Sequence, residues 1–424
     1  MRLSLFGTKF NRKSGILQLM DDLGEALSVN RNMLMLGGGN PAHIPEVQDH
    51  FRRRMKQMLD DGIEFGQAIG DYDSPQGNNS FVSSLAKLLR ETYGWDLEPE
   101  NVALTTGSQA SFFFLFNMLA GEFENGRHKK ILFPMVPEYI GYSDLGLNND
   151  IFTAAKPSIE YLSDNLFKYH VDFSELEITE EIGAICLSRP TNPTGNVITD
   201  EELHHLSELA ESHKIPLIID NAYGLPFPDI LFTEATPVWN ENTIVCLSLS
   251  KLGLPGTRTG IVIANKEIIK TLSNMNAILN LAPGSLGASL AQKLVDTGEI
   301  LTLSKEIIKP FYQEKAHHAV KALAKSLKGI NYRIHNPEGA IFLWLWLENL
   351  PITSQQLYER LKQCGVLVVP GHFFFPGLVE NWPHRQECIR MTYSQPWDVV
   401  ERAIGIMGKE IKDIYQSNKL LDSA

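Results

Sequence analysis

The chain is short of the features that would send it to a membrane or a secretory route. No window of its 424 residues approaches the ~18 uninterrupted apolar residues of a membrane helix, and the start, Met1 to Lys9, has no long apolar stretch. Neither a membrane span nor a signal peptide is therefore expected, and the expected location is cytoplasmic. Cysteine is scarce. Cys186, Cys246, Cys364 and Cys388 are widely spaced, with no Cys-x-x-Cys among them. Cys186 and Cys246 lie in apolar runs, which favours buried thiols in a reducing compartment over a disulfide framework or a metal site. Positive charge is also in deficit. With 38 Lys and Arg against 50 Asp and Glu, the formal net charge is −12, so nucleic acid is an unsuitable partner. Repeats and low-complexity segments are missing as well. What remains is an ordinary globular composition, 43% hydrophobic and 21% charged.

The length suggests two or three domains of about 150 residues each. Helices are expected at 14–26, 45–61, 79–93, 110–120, 354–364 and 397–416, with one long helix within 286–328. Between them, seven short apolar runs alternate with helical stretches: 101–104, 130–133, 151–154, 184–187, 216–219, 243–247 and 260–264. That alternation predicts an α/β fold, a large domain with a mostly parallel seven-stranded sheet between helices. From about 335 the pattern is α+β and predicts a smaller domain. The expected division is 1–60 as the N-terminal part of the small domain, 61–325 as the large domain, and 326–424 as the C-terminal small domain.

Ligands of such sheets collect beyond the carboxyl ends of the strands. The sixth run ends in Ser248-Leu249-Ser250-Lys251, followed by a Gly/Pro-rich loop and Arg258. Two hydroxyls and a guanidinium suit a phosphate. Lys251 reads either as a further phosphate ligand or as an amine activated by burial, ready to attack an aldehyde. An aldehyde and a phosphate on one small molecule describe pyridoxal 5'-phosphate. A solvated surface turn is the bland alternative. The first run leads to Gly107-Ser108-Gln109 at the start of a helix, where Ser108 and Gln109 are phosphate donors or Ser108 is a plain cap. The second leads to Tyr139, a ring-stacking aromatic or ordinary packing. The fourth leads to Asn192-Pro193-Thr194-Gly195, a turn that could present the Asn192 amide. The fifth ends in Asp220, with Tyr223 three residues on. A carboxylate there is costly unless it meets a cation or caps a turn.

Taken together, the ordered set Gly107-Ser108-Gln109, Tyr139, Asn192-Pro193-Thr194-Gly195, Asp220-x-x-Tyr223, Ser248-x-Ser250-Lys251 and Arg258 resembles the class I aminotransferases of pyridoxal-phosphate fold type I. The likeness runs from the Gly37-Gly38-Gly39-Asn40-Pro41 loop to Arg390. It implies a transaminase in which Lys251 carries the cofactor, Asp220 pairs with its ring nitrogen, Asn192 and Tyr223 bind the ring oxygen and Tyr139 stacks on the ring. Ser108, Gln109, Ser248, Ser250 and Arg258 would hold the phosphate. Arg390 would grip the substrate carboxylate, helped by Gly39 and Asn192. Tyr72 would reach the cofactor phosphate of a second subunit, which implies a homodimer with shared sites. Arg258 follows Lys251 by seven residues, where many members of the class use eight.

One further absence concerns the substrate. No arginine lies between Arg258 and Arg333, where dicarboxylate-specific members supply a second cation. The apolar stretch 275–284 is expected to wall the pocket instead. Valine as amino donor and pyruvate as acceptor are the expected pair, with amino and 2-oxo acids the small-molecule partners besides the second subunit. An aromatic aminotransferase or a C–S lyase is the alternative on the same scaffold. A regulator with an aminotransferase-like domain would need a basic DNA-binding unit ahead of the 37–41 loop, which comes early here in an acidic chain.

Overall fold

The computed structural model describes residues 2–11, 14–28, 33–162 and 165–422. Its large sheet contains the seven expected strands: β1 (Val102–Thr105), β2 (His128–Phe133), β3 (Phe152–Ala154), β4 (Ile182–Ser188), β5 (Leu217–Asp220), β6 (Thr243–Ser248) and β7 (Gly260–Ile263). They lie in the order β1-β7-β6-β5-β4-β2-β3, and a two-residue strand, Gly121–Glu122, adds an eighth member beside β2. β1, β4, β5, β6 and β7 are buried along their whole length, as expected of strands covered on both faces.

Only β7 breaks the parallel pattern among the seven. It runs antiparallel to both β6 and β1. The chain between β6 and β7 is a tight loop with no crossover helix, so the next strand returns beside the last one. This reversal matters for the site. The carboxyl ends of β1, β4, β5 and β6 share one edge with the amino end of β7. The register sets Gly260 beside both Ser248 and Thr105, and Asp220 beside both Ser188 and Cys246.

A second sheet has six strands in the order Val369–Pro370, Cys388–Thr392, Phe342–Leu347, Tyr332–His335, Leu166–His170, Ser158–Tyr161. The last two form a hairpin that sequence reading passed over. It leaves the large-sheet part of the chain, and Leu166–His170 pairs in parallel with Tyr332–His335. Arg390 sits opposite Trp344 in this sheet. Near the N-terminus, Leu34–Met35 pairs in parallel with Val366–Leu367 and so delivers the 37–41 loop to the same region.

Helices occur where expected at Gly15–Ser28, Pro45–Asp61, Asn79–Tyr93, Ser108–Leu119 and Ser354–Gln363, and the closing helix Trp397–Asp422 runs longer than expected. The single helix expected within 286–328 is divided. Leu286–Asp296 ends before Gly298, whose φ of 74° suits glycine, and Glu299–Leu303 then passes through a wide turn, Ser304–Ile308, into Lys309–Ser326. Pro310, at the start of that last helix, has no N–H to give to the preceding turn. Among the described residues no helix is long and apolar enough to cross a membrane.

Candidate active site

The shared sheet edge opens into a cavity of about 630 Å³. Every residue assigned a role from sequence lines it except Tyr72. Lys251 follows shortly after the end of β6 at Ser248. Its Nζ donates to the Gly39 carbonyl and stands 5.2 Å from the centre of the Tyr223 ring. Burial, followed by the nearby Arg390 and Arg258 cations, pulls this amine down to about 8, while Asp220 acts in the opposite sense.

Asp220 ends β5. Its Oδ2 accepts from the Tyr142 hydroxyl at 2.5 Å and its Oδ1 from the Ala222 N–H at 2.9 Å. Burial still raises it to about 6, against those two bonds and the attraction of Lys251. Tyr142 is fully buried and was not singled out from sequence. Its signal was present, an aromatic three residues after Tyr139, but nothing in the sequence distinguishes it from core packing.

At another point of the edge stands the N-terminus of helix Ser108–Leu119. Gly107 precedes it at φ 88°, and a Cβ there would lie 2.3 Å from Arg258 Nη2. Glycine is therefore needed for the guanidinium to pack against the helix start. Arg258 takes φ 51° after the short turn Pro255–Thr257, which brings Nη1 to 3.4 Å from Ser250 Oγ. The Ser250 N–H in turn donates to Ser248 Oγ at 3.1 Å. The Gln109 side chain donates to the Gly141 carbonyl at 3.0 Å, so its amide braces the turn that carries Tyr139. A Cβ on Gly141 would meet the Tyr139 ring at 2.4 Å, so the ring folds back over its own chain.

Arg390 is almost fully buried. Nη1 donates to Asn192 Oδ1 at 2.8 Å and Nη2 to the Gly37 carbonyl at 2.6 Å. The guanidinium lies 4.1 Å from the Phe342 ring centre and 5.2 Å from that of Phe374. Burial lowers it to about 10. Its Nε–H has no partner among the described residues. A buried cation with an unused donor, beside a cavity, is suited to a carboxylate.

One expectation about the surroundings needs correction. Within its own chain the stretch 275–284 does not line this cavity, and Ile278, Leu279 and Leu281 are exposed. The apolar lining comes from elsewhere: Ile16, Leu19 and Met20 of helix Gly15–Ser28, together with Met35 and Ile140. That helix is tied down through Asp22, which accepts from the Tyr358 hydroxyl and, at 2.8 Å, from Lys362 Nζ. Tyr72 is 82% exposed and stays outside the cavity of its own chain.

The donor set fits pyridoxal phosphate on structural grounds. Three hydroxyls, a guanidinium and a helix N-terminus suit a dianionic phosphate. The buried Asp220 calls for a cation, which a protonated ring nitrogen provides. Lys251 is an amine made nucleophilic by its surroundings.

Comparison with known proteins gives the same reading. Residues 31–405 match the family described as aminotransferase class I and II. The chain is 54% identical to the valine–pyruvate aminotransferase of Escherichia coli K12, over 97% of this chain and 98% of that protein. Among solved structures, the valine–pyruvate aminotransferase of Salmonella typhimurium LT2 superposes with a TM-score of 0.88 at 52% identity, over 95% of this chain and all of that one. A chain of Psychrobacter arcticum 273-4 assigned to the amino-acid aminotransferases gives a TM-score of 0.96 at 47% identity, over 98% and 99%. The protein belongs to the class I and II aminotransferases.

Proposed function

We propose that this aminotransferase moves the amino group of valine to pyruvate, giving 2-oxoisovalerate and alanine. Whole-length likeness to the Escherichia coli enzyme supports the substrate pair. The observation that carries the reading is the composition of the cavity: Arg390 offers one buried cation for an α-carboxylate, and Ile16, Leu19 and Met20 offer an apolar wall for a branched side chain. A second carboxylate against that wall would be desolvated and unpaired, at a cost of several kcal/mol.

The enzyme is pyridoxal-phosphate-dependent, as its family is. When bound, the cofactor supplies an aldehyde that takes up the amino group and a ring that accepts the electron pair released at the substrate α-carbon. Lys251 Nζ would hold the cofactor's aldehyde end, and its amine would be the base and acid that moves the substrate α-proton. Its lowered pKa keeps a useful fraction of the amine unprotonated near neutrality. Asp220 would hold the proton on the ring nitrogen, Asn192 and Tyr223 would bind the ring oxygen, and Tyr139 would pack on the ring. Ser108, Gln109, Ser248, Ser250 and Arg258 anchor the phosphate. Arg390, with Asn192 and Gly39, fixes the substrate carboxylate, so the α-hydrogen is presented to Lys251 in one orientation.

The active unit is a homodimer in which Tyr72 serves the partner's site. The exposed apolar side chains Ile63, Ile69, Ile278, Leu279 and Leu281 are available to such a contact. Residues 61–325, apart from the strands Ser158–Tyr161 and Leu166–His170 that join the second sheet, form the large domain, and 1–60 with 326–424 the small one. The free, buried thiols of Cys186, Cys246 and Cys388 fit a reducing, cytoplasmic setting. The test is single-turnover absorbance of the cofactor-loaded protein with valine, aspartate, phenylalanine and cysteine in turn. Valine should react fastest. A faster reaction with phenylalanine would favour an aromatic aminotransferase, and release of sulfide from cysteine a C–S lyase.

A further inference from the structure

Lys168 and Glu338 form a buried ion pair, and neither lines the cavity described above. Lys168 lies in the strand Leu166–His170 of the second sheet, and Glu338 in the connection between Tyr332–His335 and Phe342–Leu347. Besides pairing with Glu338, Lys168 Nζ donates to the Val197 carbonyl at 2.9 Å and to Asn196 Oδ1 at 3.2 Å. All three of its N–H groups are thus engaged. Glu338 Oε2 also accepts from the Val197 N–H at 2.9 Å. Val197 is therefore held at its N–H by the acid and at its carbonyl by the base.

Val197 follows the turn that comes after β4. In that turn the Thr191 N–H donates to the Asn196 carbonyl and the Gly195 N–H to the Thr191 carbonyl, both at 2.8 Å. Those two bonds fix Asn192 relative to Val197, and Asn192 Oδ1 accepts from Arg390 Nη1 at 2.8 Å. From the other side, Glu338 leads four residues on to Phe342, whose ring centre lies 4.1 Å from the Arg390 guanidinium. The connection is itself stitched down. The Glu338 carbonyl accepts from the Phe232 N–H at 2.7 Å, and the Ala340 N–H donates to the Ile230 carbonyl at 3.0 Å. A Cβ on Gly195 would lie 2.6 Å from the Gly339 carbonyl, so turn and connection meet backbone to backbone. Asn192 and Arg390 reach the cavity from different sheets, and this joint ties the two routes together. A buried ion pair is a costly way to gain stability, because desolvation offsets much of the attraction and an apolar pair often serves as well. What the pair does supply is direction, a donor and an acceptor aimed at one peptide unit on each side of Val197.

We propose that Lys168 and Glu338 are positioning residues for the substrate carboxylate: they clamp Val197 and, through its turn, set Asn192 against Arg390. The proposal rests on the role given to Arg390 and Asn192 above. The pair makes no contact with substrate. Every amino donor and every oxo-acid acceptor brings the same α-carboxylate, so loosening the clamp weakens all of them alike and leaves the choice of side chain unchanged.

The test is steady-state kinetics on cofactor-saturated protein, at a temperature where circular dichroism shows each variant folded. The double variant Lys168→Met with Glu338→Gln removes both charges together, so no lone ion is left buried. Glu338→Asp is the milder tool: it keeps the pair but draws the acceptor back from the Val197 N–H. Both should raise KM for valine and for pyruvate, the double variant by about tenfold, while kcat stays within about threefold of wild type. The ratio of kcat/KM between valine and other amino donors should stay within about twofold. An Asn192→Ala background decides the route. There the double variant should change KM by less than about twofold, because the residue it acts through is gone. Unchanged KM in both variants would overturn the proposal, and so would an equal rise with and without Asn192. A wild type that does not transaminate valine would instead remove the substrate reading alone. The same cycle would then decide the proposal with whichever amino acid serves as donor, since that donor carries the same α-carboxylate.

Discussion

Arg390→Lys keeps the charge and removes the fork. The guanidinium spends one Nη bond on Asn192 and one on Gly37, and is packed against Phe342. Those contacts fix its plane, and its remaining N–H groups, including the unpartnered Nε, are left for a carboxylate. A lysine ammonium is a point charge that makes one good bond to that carboxylate where arginine makes two. One hydrogen bond between charged groups is worth about 1.5–3 kcal/mol. The expected loss in kcat/KM for valine is therefore roughly 10- to 150-fold. Because the carboxylate is gripped in ground and transition states alike, most of the loss should appear as a raised KM. The assay is steady-state transamination with valine and pyruvate, on protein saturated with cofactor as judged by absorbance. A kcat/KM within about threefold of wild type would mean that the α-carboxylate is held elsewhere, and the cavity would have to be read again.

Four other outcomes are expected. Lys251→Ala should bind cofactor without the covalent link that borohydride traps in wild type, and a trapped adduct in the variant would move the role to another amine. Asp220→Ala should lower kcat by more than roughly tenfold while retaining cofactor, and a near-normal kcat in saturated protein would count against its pairing with the ring nitrogen. Mixed chains of Lys251→Ala and Tyr72→Ala should regain activity through hybrids with one intact site, and no recovery under demonstrated subunit exchange would argue against a shared site. Wild type should prefer valine over aspartate by at least about a hundredfold in kcat/KM, and Met20→Arg should narrow that ratio by placing a cation in the apolar wall.

The large sheet was legible because its strands are apolar on both faces, which leaves a short uninterrupted run in the sequence for each. Six of the site positions were legible for a related reason: Ser108, Tyr139, Asn192, Asp220, Ser248 and Lys251 all follow such runs. Arg258 reaches the same edge by the opposite route, ahead of the antiparallel β7. The hairpin Ser158–Tyr161 and Leu166–His170 was missed because its first strand is largely exposed and its second carries Lys168 in a buried pair with Glu338. A buried lysine looks like a surface residue until its partner, far along the chain, is known. The break at Gly298 was missed because the apolar spacing continues across it, and only a positive φ marks the interruption.

The helix Gly15–Ser28 was legible as a helix, but its part in the cavity was illegible for a deeper reason. Ile16, Leu19 and Met20 at helical spacing read as ordinary core. Their meaning depends on what the fold places opposite them. The same holds for the electrostatics of the site. Burial draws Lys251 down to about 8 and Arg390 down to about 10, and pushes Asp220 up to about 6. Each of the three is displaced toward neutrality, and each is opposite in charge to one part of the molecules proposed to bind: Asp220 to a protonated ring nitrogen, Arg390 to a carboxylate, and Lys251 with Arg258 to a phosphate-bearing anion. Binding would therefore move Asp220 down and Arg390 up. The energy needed to bury these groups becomes affinity for ligands that carry the matching charges in the matching places. An apolar amino acid satisfies Arg390 and leaves the wall formed by Ile16, Leu19 and Met20 undisturbed. A dicarboxylate would bring one charge more than this lining answers, and that excess charge is the basis of the expected preference for valine over aspartate.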